Sequence, residues 1–449
     1  MDAVTDLTFV QFDEVNLPEL WRRIQEVRTR IPTIPFPMVD VGIDEGTGTS
    51  PERKSNSLLA PPPASVSGTG FPRLVVVQPT PTCNIDCKYC YLPGRRLYRR
   101  MSFETVRGMN RFFLAGNPNP ELRFLWHCGE PLLVSPSFYE TAFGVSRDAA
   151  PPGCDVRQSI QTNGTLIDER WCDLFIKWDV EVGISVDGPK NLHDANRLDR
   201  NGRGTFDRVM SGIQRLKERE IPFSVICVLS ADAFDHPDAV WGFMGELGAR
   251  AVSLNIEQSL GQHRAVGAKE TSSSLPRFLR FFRRIMELED GSTSRVFIHD
   301  THFLRDLIQL GDRDAVRPCT TPLEIVTVNW KGQLSTFSPE LLDMVDTNGE
   351  GFLLGSVEET RRPIDLTKGA RFKQIDDAIR TGISRCSKEC AVYPICGGGS
   401  PASKMSENGD FASTETTWCR LMVQALGKVA LEAVERRSRD GLASDVSVN

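Results

Sequence analysis

From Phe71 to about residue 290 the chain repeats one pattern: a short apolar run, then an amphipathic stretch long enough for a helix. The runs are LVVVQPT (74–80), ELRFLW (121–126), DVRQSIQTN (155–163), VEVGISVDG (180–188), FSVICVLS (223–230) and AVSLNIEQ (251–258). Helical stretches fall near 103–115, 136–148, 168–177, 205–219, 237–247 and 275–289. Six units across 73–290 take about 36 residues each, the size of one strand–helix unit of a parallel sheet. The pattern predicts an α/β fold, a partial (β/α)6 barrel. With six units instead of eight it should stay open on one side. In such barrels chemistry sits on the loops that follow the strands.

The flanks read differently. Residues 17–31 place Leu20, Ile24, Val27 and Ile31 on one stripe of a short helix, within an N-terminal extension of 1–31. That helix is expected to pack on the scaffold as decoration; the rival reading is that it docks a precursor leader or shields the barrel's open side. Residues 32–72 carry eight prolines and the PPPASVSGTG stretch, the composition of a linker. Residues 291–318 bridge to a loop-rich unit at 319–425, and 426–449 form a helix end and tail. No solenoid-type repeat is present. A net charge of −6 argues against nucleic acid as a partner. No run approaches the roughly 18 apolar residues of a membrane helix, and the acidic N-terminus lacks a secretory profile, so a cytoplasmic protein is expected.

Twelve cysteines are distributed unevenly. Cys83, Cys87 and Cys90 form one cluster on the loop after the first strand; Cys386, Cys390, Cys396 and Cys419 form another. Cys319 stands between them, and Cys128, Cys154, Cys172 and Cys227 are single. Clustered thiols in a large chain of this kind read as metal or catalytic ligands rather than disulfides. Three thiolates at Cys-x3-Cys-x2-Cys spacing leave one iron of a 4Fe–4S cube open, whereas zinc would need a fourth ligand. Four thiolates close a site completely, and there spacing alone leaves zinc and iron–sulphur equally open.

PTCNIDCKYCY (81–91) resembles the CxxxCxxC-aromatic motif of the radical S-adenosylmethionine (SAM) superfamily. WHCGEP (126–131) resembles that family's GGEP element, with Cys128 in place of the first glycine. IQTNGTLID (160–168) and GISVDGPKNLHDANR (183–197) resemble the sulfatase-maturase-like branch. The resemblance implies a SAM-binding 4Fe–4S cluster on Cys83, Cys87 and Cys90. It implies SAM contacts from Tyr91, Cys128, Gly129 and Glu130, with Ser185 and Arg197 facing the ribose and carboxylate and Leu254 against the adenine. Arg197 can pair bidentately with a carboxylate, Gly129 allows close backbone approach, and Glu130 can accept from an ammonium group.

The 319–425 unit resembles the SPASM extension, which carries auxiliary clusters. Phe337 and Ser400 stand where two of its seven cysteines would be, so Cys386, Cys390, Cys396 and Cys419 imply one auxiliary 4Fe–4S cluster, and Cys319 is vestigial or buried. CGGGSPASKMSENGDFASTETTWCR (396–420) resembles peptide maturases that build three-residue cyclophanes. The function implied is radical SAM modification of a ribosomally made precursor peptide, joining an aromatic ring carbon to a β-carbon. A flavodoxin- or ferredoxin-type reductant would supply electrons. Rivals are thioether or formylglycine formation and, in another class, a non-catalytic iron–sulphur carrier or zinc-binding module. Ser338 stands where the sulfatase maturases have an Asp, which speaks against formylglycine. Glu340, Glu257 and His127 are the candidate bases; for His127 a hydrogen-bonded core role competes. Asp187 reads equally as a turn cap or a ligand contact, and Asn163-Gly164 as a turn.

Overall fold

A computed structural model describes residues 15–30, 70–261, 263, 271–291, 296–310 and 319–445. The predicted alternation is present: β1 (Leu74–Val77), α2 (Phe103–Leu114), β2 (Glu121–Trp126), α3 (Pro136–Ala149), β3 (Asp155–Thr162) and α4 (Glu169–Lys177) follow the first helix, α1 (Leu17–Arg30). Next come β4 (Glu181–Ser185), α5 (Lys190–Asn196), α6 (Phe206–Glu218), β5 (Phe223–Leu229), α7 (Pro237–Leu247), β6 (Val252–Ile256), α8 (Thr271–Gly291) and α9 (His299–Leu310). Local chemistry sets several ends. Ser102 caps α2 by accepting from the Thr105 N–H, Asp168 caps α4 through the Arg170 and Trp171 N–H groups, and Gly248 ends α7 in the left-handed region.

Strands β1 to β6 pair in parallel in sequence order, from Leu74 opposite Arg123 to Ile226 opposite Ser253. The sheet does not stop there. β7 (Ile325–Val328) lies parallel to β1 on its other side, and β8 (Gln333–Thr336) and β9 (Gly355–Ser356) follow antiparallel. The loop-rich reading of 319–425 missed these strands because each is at most four residues long. The order β6-β5-β4-β3-β2-β1-β7-β8-β9 does not close, so the barrel is open. At the open edge the Val252 N–H donates to the Phe297 carbonyl and the Leu254 N–H to Asp300, which satisfies groups an edge strand would otherwise expose.

Strand alternation sorts the two faces. Val75, Val77, Leu122, Phe124, Trp126, Val182 and Val225 face the helices in one large core. Leu74, Val76, Leu125 and Ile325 line a separate apolar patch on the inner face. Below it the inner face is polar: Ser159 donates to Glu181 at 2.9 Å and Gln161 to Ser185 at 2.9 Å.

The remaining helices are α10 (Ala370–Glu389), α11 (Tyr393–Cys396), α12 (Pro401–Asn408) and α13 (Leu426–Asp445), the last entered through a π-helical turn at Cys419–Ala425. α13 packs against α8 and α9, and α1 packs against α9 and α13. Leu20, Ile24 and Val27 of α1 are buried as the stripe required; Ile31 lies outside the described residues. Arg28 donates to the Leu307 and Ile308 carbonyls at 2.8 and 3.0 Å, covering the end of α9. Arg305 is fully buried between Glu289 and Asp290, and Arg436 and Arg437 of α13 also reach Asp290.

Candidate functional site

The loop leaving β1 carries Cys83, Cys87 and Cys90 and is fixed by backbone bonds to two other segments. Cys83 N–H donates to the Arg95 carbonyl at 3.0 Å. Asp86 and Lys88 N–H groups donate to Leu198 and Asn196 carbonyls at 2.7 and 3.0 Å. Burial pushes the Cys83 and Cys87 thiols up to about 12 and raises Cys90, and each thiolate would repel the others. At that burial only a cation in place of the proton keeps the sulfurs ionised. Two donors already face them: the Asn163 amide stands 3.8 Å from the Cys83 sulfur and Arg197 Nη1 stands 4.0 Å from the Cys87 sulfur.

Asp187, directly after β4, holds Arg197. Its carboxylate lies 3.0 Å from Arg197 Nε and accepts from Nη2 at 3.0 Å, from the Tyr89 hydroxyl at 2.5 Å and from the Val228 N–H at 2.9 Å. The ion-pair partner of Arg197 is therefore a carboxylate of this chain, which leaves Nη1 to face Cys87. The Arg197 guanidinium also sits over the Tyr89 ring at 5.4 Å. Behind the pair, buried His193 bonds Thr205 at 2.9 Å and accepts weakly from the Asp187 N–H at 3.4 Å.

The segment after β2 presses against the same loop. Cys128 and Gly129 both have positive φ, 66° and 103°. A Cβ on Gly129 would come within 2.2 Å of the Thr80 carbonyl oxygen, so no other residue fits this approach. Cys128 occupies left-handed backbone at some strain, as a residue with a Cβ does in that region. Its side chain meets the Tyr91 hydroxyl, and it packs with Val76, Ile325 and Cys319 on the inner face. Cys319 is thus inner-face packing, with its thiol raised to about 12 by burial. Glu130 accepts from Leu132 N–H (2.9 Å), Thr162 hydroxyl (2.6 Å) and Asn163 N–H (2.9 Å). It braces the loops after β2 and β3 to one another.

The other expected residues are placed as follows. Ser185 ends β4 on the inner face and accepts from Gln161. Leu254 does not face a ligand: it shares its face with Val252 and Ile256 and is fully buried in the helix-side core, so Ser253 and Asn255 occupy the inner face of β6. Alternation, not composition, decides this. Glu257, just past β6, is bonded by His263 at 2.9 Å. Glu340 accepts from the Ser338 hydroxyl; burial, and after it the nearby Glu340, raises the Tyr91 and Cys319 groups. His127 follows Leu125 on the inner face; burial lowers its pKa to about 4, and its Nδ1 has no hydrogen-bond partner.

The second cluster forms where α10 ends, α11 ends and the π-helical turn begins. Cys390 caps α10 by donating its N–H to the Cys386 carbonyl at 2.9 Å. Gly397, Gly398 and Gly399 all have positive φ and turn the chain sharply after Cys396; a Cβ on Gly398 would stand 2.8 Å from Ile383. Burial and mutual repulsion raise the Cys386, Cys390 and Cys419 thiols. Lys404, only 3% exposed, places its ammonium 3.6 Å from the Cys386 sulfur. Gln424 donates to Cys419 at 3.6 Å and to Glu415 at 2.8 Å. A buried ammonium whose described side-chain partner is a thiol fits an anionic group there. Phe337, at φ 75°, stacks on Phe372, and the Ser400 side chain caps α12.

Among the described residues no three His, Cys, Asp or Glu side chains converge as ligands of a single metal ion. The donor chemistry of both groups fits iron–sulphur clusters: soft thiols, positive or amide donors at the sulfurs, and partial burial. Sequence reasoning did not single out Tyr89, His193, Lys404 or Gln424: the first three lie inside the motif segments quoted above, but their partners are set only by tertiary proximity.

A family model of the radical SAM superfamily matches residues 77–236. An uncharacterised protein of Synechocystis sp. is 33% identical over 82% of this chain and 94% of its own length. A serine-type anaerobic sulfatase-maturating enzyme of Klebsiella aerogenes is 31% identical over 49% of this chain, a match that spans 55% of that enzyme. The chain belongs to the radical SAM superfamily. Among solved structures, native anSMEcpe with bound AdoMet superposes with a TM-score of 0.67 at 21% identity, covering 82% of this chain and 99% of the other. Streptococcus suis SuiB bound to precursor peptide SuiA gives 0.53 at 13% identity over 78% and 76%. Among the described residues no helix is long and apolar enough to cross a membrane.

Proposed function

We propose that this protein is a radical SAM maturase that modifies a ribosomally made peptide by removing a β-hydrogen and joining that carbon to a nearby aromatic ring. Cys83, Cys87 and Cys90 would hold the SAM-binding 4Fe–4S cluster, and Cys386, Cys390, Cys396 and Cys419, in a SPASM-like unit at 319–425, one auxiliary cluster. When bound, the first cluster and SAM supply a 5′-deoxyadenosyl radical by one-electron cleavage of the sulfonium. The chain's part is positional. Asp187 fixes Arg197 toward Cys87, the Cys128–Glu130 segment and Tyr91 form one wall, and Val76, Leu125 and Ile325 keep the inner face dry. Joining the two carbons removes two hydrogens from the peptide: one would leave as an atom to the 5′-deoxyadenosyl radical, the other as a proton plus one electron that the auxiliary cluster would accept. His127 is the proton acceptor we assign, because its Nδ1 is neutral and unpartnered while Glu257 and Glu340 are already bonded.

The observation that carries this reading is the three-thiol loop after β1, with Arg197 and Asn163 at its sulfurs. The likeness to sulfatase-maturating enzymes favours a second reading, formylglycine formation. Against it stands Ser338, which is buried and bonded to Glu340. The test is anaerobic co-expression with a peptide encoded beside it, followed by mass analysis. A loss of two hydrogens with no aldehyde trapped by hydrazine, and a carbon–carbon bond mapped within three residues, supports the cyclophane. A trapped aldehyde supports formylglycine, and a sulfur-to-carbon bond the thioether. Cys87→Ala must abolish 5′-deoxyadenosine release; undiminished release would refute the assignment altogether.

A further inference from the structure

The loop that carries the three cysteines continues into RRLYRR (95–100), and residues 96–100 are exposed without a break. The chain as a whole carries −6, yet from residue 83 to 101 there is one acid, Asp86, against Lys88, Arg95, Arg96, Arg99 and Arg100. Asp86 is taken by Arg95 and Arg96. Lys88, between two of the cysteines, is exposed, and among the described residues Lys88, Arg99 and Arg100 have no carboxylate partner. Leu97 and Tyr98 stand in the middle of this charge at 56% and 78% exposure. An apolar centre ringed by one sign of charge is the surface of a transient protein contact, not of a solvated turn.

The same segment is bonded directly to the cysteine backbone. The Arg95 carbonyl accepts from the Cys83 N–H at 3.0 Å, the Leu97 carbonyl from the Thr82 hydroxyl, and the Arg99 carbonyl from Thr80 at 2.5 Å. Arg95 Nη1 reaches the Cys87 carbonyl at 3.3 Å. Arg200 ties the layers together: it donates to the Cys83 carbonyl, to the Arg95 carbonyl at 2.9 Å and to the Tyr98 hydroxyl at 3.0 Å, with its guanidinium over the Tyr98 ring at 5.7 Å. One residue thus separates the exposed Tyr98 ring from the Cys83 peptide.

We infer that this basic, apolar-centred loop is the docking surface for an acidic one-electron carrier protein. The inference rests on the cluster reading above and adds where its electron enters. One electron leaves the carrier, which is oxidised, and enters the three-cysteine site, which is reduced; no proton or group moves. Redox encounters of this kind use small, charge-steered interfaces, which suits a patch of six residues.

The experiment uses the full-length iron-loaded enzyme and reads two things: direct binding of an acidic ferredoxin, which charge reversal should weaken, and 5′-deoxyadenosine release driven by that ferredoxin kept reduced or by dithionite. Arg96→Glu/Arg99→Glu/Arg100→Glu should lower the apparent kcat/KM for ferredoxin by about tenfold or more and leave the dithionite rate within about twofold. Leu97→Ser/Tyr98→Ser should weaken ferredoxin use without changing its salt dependence. In the wild type, ferredoxin-driven release should fall steeply with added salt while dithionite-driven release does not. An unchanged ferredoxin rate in the charge-reversed enzyme overturns the docking surface and leaves the cluster reading standing. So does a rise in KM for the precursor peptide alone, which would place the peptide on this loop. If the reversed loop loses iron, Arg99→Gln/Arg100→Gln with the salt series decides instead. A wild type that releases nothing with dithionite refutes the cluster reading itself.

Discussion

His193 gives the site a calculable sensitivity to acid. It is fully buried behind the Asp187–Arg197 pair. The Thr205 hydroxyl donates to the Arg197 carbonyl at 2.8 Å, so it must accept from His193 Nε2–H at 2.9 Å. Nδ1 then accepts from the Asp187 N–H, and the neutral ring is the form that the neighbours select. Desolvation first, then the nearby Arg197 charge, lower its pKa from 6.5 to about 4, against smaller pulls from Asp187 and Asp194. The folded pKa lies below the unfolded one, so the stabilising contribution is complete above pH 6.5 and is lost as pH falls toward 4. The shift amounts to about 3 kcal/mol. The perturbation is His193→Gln, which cannot titrate, and the assay is urea unfolding of both proteins between pH 7.5 and 4. The wild type's advantage over the variant should shrink by about 3 kcal/mol across that window. His127 and His302, also lowered to about 4, steepen both curves equally and drop out of the comparison. If the two curves stay parallel, His193 is not the buried neutral brace described.

Two further outcomes follow from single contacts. Gly129→Ala should destabilise by at least about 2 kcal/mol, because left-handed strain adds to a Cβ 2.2 Å from a carbonyl oxygen; thermal unfolding and SAM binding measure it, and a fully stable variant would contradict the geometry. Lys404→Met should lower the auxiliary site's reduction potential by on the order of 60 mV, or cost it iron, since a buried positive charge beside Cys386 is lost. A redox titration in a background lacking Cys83, Cys87 and Cys90 reads it, and Lys404→Arg should restore most of the effect.

Much of the scaffold was legible because periodicity is a local property. The ends of β2 coincide with an apolar run and those of α7 with a predicted helical stretch, and the stripe of α1 buries as its spacing requires. The three-thiol loop was legible for the same reason: its cysteines are neighbours in the chain. Leu254 was misplaced because a run of buried residues in an edge strand does not announce which face each one takes. β7 was missed because four residues carry too little pattern, and only pairing with β1 makes them a strand.

The amino-acid order by itself determined the alternating units, the two thiol groups and the basic loop beside the first, all written in residues a few positions apart. Folding alone decided that Asp187 takes Arg197, that Lys404 lies against Cys386 and that Cys319 packs with Cys128. These pairs are separated by up to 191 positions, and only burial, which makes an unpartnered charge or polar group costly, brings them to one another.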